Sequence, residues 1–67
     1  MMEYHRLGQQ VYNTMVIYEF AICEDMNVIL KRYRGNIFTE PKMKRGCNIE
    51  VARNAYKKLL DQGYVKC

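Results

Sequence analysis

Serine is absent from this 67-residue chain, histidine and proline occur once each, and glycine occurs only four times. Without serine there is no Ser-His-Asp triad. The scarcity of Gly and Pro excludes linker-like and collagen-like chains. Gly35, Gly46 and Gly63 stand apart from one another, so no glycine-rich loop can cradle phosphates. Long apolar runs are also missing. Met15 to Tyr18 and Phe20 to Cys23 are short and interrupted by Glu19, whereas a membrane-spanning helix needs about 20 apolar residues. Met1 to Gln10 lacks the apolar centre of a secretory signal, which leads to the expectation of a cytoplasmic protein.

The three cysteines, Cys23, Cys47 and Cys67, are odd in number and form no CxxC pair. Free thiols in a reducing compartment are therefore expected, with neither a disulfide framework nor a structural zinc site. His5 has no orienting partner nearby in sequence, and the adjacent carboxylates Glu24 and Asp25 read as turn residues. The expectation is a protein without catalytic activity, cofactor or metal.

What remains is a foldable composition, 49% apolar and 27% charged, on a chain sized for a single domain over 1–67. A domain this small buries only about 60% of its unfolded surface, so docking on a larger partner or homo-oligomerisation would help it. Val11 to Cys23 is rich in β-branched and aromatic residues, with Tyr12, Val16, Tyr18, Phe20 and Ile22 on one face at period two. After Glu24 to Asn27 the pattern resumes at Val28, predicting an antiparallel hairpin over about 11–34. Ile37 to Thr39 suggests a short third strand within about 36–39, and Pro41 to Gly46 an exposed basic loop. Residues 1–10 are expected to form a flexible N-terminus.

Asn48 is a suitable helix N-cap. Val51, Ala52, Ala55, Tyr56, Leu59 and Leu60 follow at helical spacing, and Gly63 supplies the stop, predicting a helix over about 49–62. Tyr64 to Cys67 could return as a last strand. The fold class expected is thus α+β, a small antiparallel sheet packed by one C-terminal amphipathic helix.

Charge is unevenly distributed. Between Lys31 and Arg45 six cations face one carboxylate, a net +5 against +4 for the whole chain. Tyr33 and Phe38 are interleaved with them, so the segment could follow a phosphate backbone, meet an acidic protein surface, or serve solubility alone. The order KRYRGNIF lacks the pattern of the RNA-binding sheet motif, and one helix is too few for helix-turn-helix. Tyr4, Tyr33, Tyr64, Met26 and Met43 are of residue types favoured at interfaces.

Asn48 to Tyr64, with its ARxxYKxLxxxGY form, resembles the closing helix of small uncharacterised proteins from cyanobacteria and their phages. It is more faintly similar to WGR domains, with Tyr33-Arg34-Gly35 standing where those carry Trp-Gly-Arg. The first resemblance implies a phage or cyanobacterial accessory protein. The expected function is a non-catalytic basic module that docks on an acidic surface of a larger host protein or multi-subunit complex and modulates it. Nucleic-acid binding through the same segment is the alternative, and no membrane partner is expected. The expected contacts are Lys31, Arg32, Tyr33, Arg34, Lys42, Met43, Lys44 and Arg45.

Overall fold

A computed structural model describes residues 2–35 and 40–67. The chain forms β1 (Glu3–Val11), β2 (Thr14–Ile22), β3 (Val28–Arg34), β4 (Met43–Cys47), α1 (Ile49–Asp61) and β5 (Val65–Lys66). The strands make one five-stranded antiparallel sheet in the order β4-β3-β2-β1-β5, with the helix laid on one face. This is the small α+β architecture expected from the sequence.

The hairpin over 11–34 is present as β2 and β3, in a register that sets Phe20 opposite Leu30 and Ile22 opposite Val28. Its connection is closed by Cys23 N–H donating to the Asn27 carbonyl at 2.8 Å, and by Asp25 accepting from the Asn27 amide. The Pro41–Gly46 loop is corrected: Met43–Cys47 is an edge strand paired to β3. An edge strand has one neighbour and needs no apolar alternation, which is why MKRGC reads as loop. The expected strand over 36–39 lies outside the described residues.

The flexible N-terminus is also corrected. Residues 3–11 pair with β2 along their whole length, and Leu7 is fully buried. A two-residue turn, Tyr12-Asn13, joins them, with Tyr12 at φ 56° and 91% exposed. Tyr12 therefore does not belong to the apolar face assigned to it from period two.

Register divides the sheet into two sides. Leu7, Val16, Phe20, Val28 and Leu30 point to the helix and join Ala52, Leu59 and Tyr64 in the core. Val51 and Leu60, expected in the helix stripe, are exposed, and the buried line runs instead through Ile49, Ala52, Ala55, Tyr56 and Leu59. The Asn48 side chain accepts from the Val51 amide at 2.9 Å, as an N-cap should. At the far end Tyr64 N–H donates to the Leu59 carbonyl and Gly63 N–H to that of Leu60, with Gly63 at φ 96°. These two bonds satisfy carbonyls that the last turn leaves open and fold Tyr64 back on the core.

The helix starts beside Cys47, which is paired to Val28 at one end of the sheet. It finishes near Gln9, whose side-chain amide donates to the Gln62 carbonyl. It thus crosses the sheet obliquely from the β4 edge to the β1 edge, where β5 pairs with Leu7 and Gly8.

Candidate functional site

The cations singled out in the sequence gather where β3 and β4 pair, but alternation splits them between the two sides of the sheet. Arg32, Arg34 and Arg45 lie on the helix side with Met43, and Lys31 and Lys44 lie on the open side with Tyr33. Lys42 immediately precedes β4, and its amide donates to the Arg32 carbonyl at 2.7 Å. Arg34, Lys42, Lys44 and Arg45 are exposed, and Lys31 and Arg32 are half-buried. Among the described residues no ion pair engages Lys31, Arg32, Arg34, Lys44 or Arg45.

Two of the expected contacts face wholly or partly inward. Tyr33 is only 9% exposed, set opposite Ile17 and bordering a 310 Å³ pocket with Arg6, Glu19 and Cys67. Met43 is half-buried and packs against the core. Tyr64 is buried as well, its ring edge-on to Tyr18 at 5.5 Å. Burial pushes the Tyr64 hydroxyl above its ordinary pKa and the neighbouring Tyr18 adds to this, while Arg32 and Arg34 pull it back down. Tyr4 and Met26 remain exposed.

Lys31 and Lys44 face each other directly across the β3–β4 pair. Like charges in that position repel and weaken the sheet. Register alone reveals this pair, because thirteen positions separate the two lysines in the chain.

The open side also holds a feature that sequence reasoning missed. Glu19 is 5% exposed and accepts from Arg6 Nε at 2.8 Å. That hydrogen bond and the Glu19 charge raise the Arg6 pKa further above its already high value. The pairing of β1 with β2 sets Arg6 directly opposite Glu19, so the interaction becomes legible only once β1 is known to be a strand.

At the corner opposite the basic edge, the oblique helix leaves a groove of 670 Å³ floored by Phe20, Ile22 and Val28 and walled by Ile49, Ala52 and Tyr56. Glu3, His5, Arg53 and Lys66 stand at its sides. His5 Nε2 lies 3.3 Å from Glu3 Oε2, which corrects the expectation that His5 lacks a partner nearby in sequence, because β1 places residues two apart on the same side of the sheet. Among the described residues no three His, Cys, Asp or Glu side chains come together as metal ligands. Nor is any helix among them long and apolar enough to cross a membrane.

No protein-family model, curated protein or solved structure matches this chain. The geometry therefore has to carry the functional reading by itself.

Proposed function

We propose that the protein is a small non-catalytic binding module whose β3–β4 edge docks on an acidic surface of a larger protein or complex and modulates it. One observation carries this reading: five cations without ion-pair partners among the described residues surround a strand edge that the helix does not cover. The directly opposed lysines support it, since they cost stability that a partner's carboxylates would return. The role proposed is an accessory or regulatory one.

Nucleic-acid binding is the second reading, and it draws on the same excess of positive charge. Two observations favour an acidic protein instead. The cations lie on both sides of the sheet, where no single strand of phosphates could follow them all. Tyr33, the ring that was to stack on bases, is buried.

Fluorescence anisotropy with labelled poly-glutamate and labelled single-stranded DNA, at about 50 and 200 mM salt, separates the readings. Poly-glutamate should bind, and the variant Arg32→Glu, Arg34→Glu, Lys44→Glu, Arg45→Glu should lose it while keeping its circular dichroism spectrum. Tighter binding of the DNA would move the edge to nucleic acid. No binding of either at low salt would remove the assignment.

A further inference from the structure

Three features stand beyond the basic cluster: the apolar groove, the Arg6–Glu19 pair beside Cys67, and the outer edge of β4. The groove has acids and bases mixed at its sides, so no one ligand chemistry is selected. The ion pair satisfies itself. The edge carries an inference.

We infer that β4 accepts an extended acidic segment of a partner protein as a sixth strand of the sheet. This rests on the reading of the basic edge as a docking surface and specifies how it docks. Among the described residues β4 is the last strand on its side and pairs with no strand but β3, so alternate residues turn backbone N–H and C=O groups outward. An added strand would lie about 4.8 Å away, with its side chains alternating between the two sides of the sheet. It would meet Arg45 on the helix side and Lys44 on the open side. The division of charge between two sides is awkward for a phosphate backbone and suits a strand carrying two consecutive acids.

Gly46 refines the partner. It is exposed and lies on the open side opposite Ile29, so a strand added there finds no side chain at that position. A large aromatic residue placed against Gly46 could cover Ile29, much as aromatic residues shelter glycines in designed sheets. In antiparallel register the partner then reads aromatic-acid-acid, set against Gly46, Arg45 and Lys44. In parallel register the order is reversed.

A second copy of this chain is the poorer occupant. Pairing β4 with itself in antiparallel register about Lys44 or Arg45 places identical cations opposite each other. The opposite edge is also less suitable, because β5 has only two residues.

The test uses the acetylated and amidated peptide Thr-Val-Tyr-Glu-Glu-Val-Thr, its reversed sequence, and two N-methylated forms of each. Each form is methylated at alternate amides, so that one edge of the peptide or the other is blocked. Titration is followed by amide chemical shifts of the intact protein. One of the two orders should bind and shift the resonances of 43–47 more than any others. Blocking one peptide edge should abolish binding while blocking the other leaves it unchanged. The change Lys44→Glu with Arg45→Glu should weaken it about tenfold or more.

If both methylated forms bind as well as the parent, strand addition is overturned although docking by charge stands. If neither order shifts 43–47, both fall. If single-stranded DNA competes the peptide off at lower concentration than poly-glutamate does, the edge belongs to nucleic acid and the inference is overturned.

Discussion

Replacing Lys44 by Glu should stabilise the folded protein while weakening the surface proposed for docking. Lys44 stands directly opposite Lys31 on the open side of the β3–β4 pair, with Lys31 half-buried and Lys44 exposed. Opposite charges so placed contribute roughly 0.2–1 kcal/mol, and like charges destabilise. Exposure of Lys44 places the expected gain in the lower half of the combined range, about 0.5–1 kcal/mol. In a domain of this length that raises the melting temperature by about 2–8 °C. Thermal and urea unfolding of the wild type, Lys44→Gln and Lys44→Glu should rank stability as Glu above Gln above Lys. The differences should shrink at about 1 M salt, where the screening length is about 3 Å. In a Lys31→Gln background the advantage of Glu over Gln should largely vanish. A Lys44→Glu protein no more stable than Lys44→Gln at low salt would refute the argument that the two lysines oppose each other.

Leu7 fills the core from a strand that looks polar, and Leu7→Ala should cost about 2–5 kcal/mol, read as a lowered midpoint in chemical denaturation. Tyr12 sits at φ 56° with its ring in solvent, so Tyr12→Gly should raise the urea midpoint by the equivalent of about 0.5–1 kcal/mol. Burial and Tyr18 raise the Tyr64 pKa, so the folded state keeps a proton that the unfolded chain releases. The resulting stability is complete below the unfolded value of about 10 and declines as pH rises through the folded value. Tyr64→Phe should flatten that decline in unfolding curves measured from about pH 9 to 11.

The legible parts of this fold are those that bury a continuous apolar face. Val16, Tyr18, Phe20 and Ile22 announce β2 because each points at the helix, and Ala52 to Leu59 announce α1 because its inner line packs on the sheet. β1 was missed because the helix leaves its first residues uncovered. Glu3 and His5 sit beside the groove, so the strand's apolar contribution to the core is confined to Leu7 and Val11. β4 was missed because its one partner, β3, supplies hydrogen bonds and asks nothing of its side chains beyond Met43 and Cys47.

The basic segment was legible as charge and illegible as geometry. Position along the chain says that Lys31, Arg32, Lys44 and Arg45 share a segment. Only the pairing of Lys31 with Lys44 and of Leu30 with Arg45 says which of them share a side. The same holds for Arg6 and Glu19, which are far apart in sequence and directly opposite in the sheet. Tyr33 looked available because cations flank it. Strand alternation turns it away from Arg32 and Arg34, to the side where Ile17 lies opposite.

The chain order of the elements also bears on how the molecule assembles. β1 to β4 form a meander of neighbouring hairpins, whose contacts are local and quick to make. The pairing of Lys66 with Leu7 spans nearly the whole chain and closes the longest loop in the sheet. Until the helix docks, the apolar side of the meander stands open to water. A nascent chain halted before Ile49 would present a ready surface for chaperones or for aggregation, and the helix is the element that closes it.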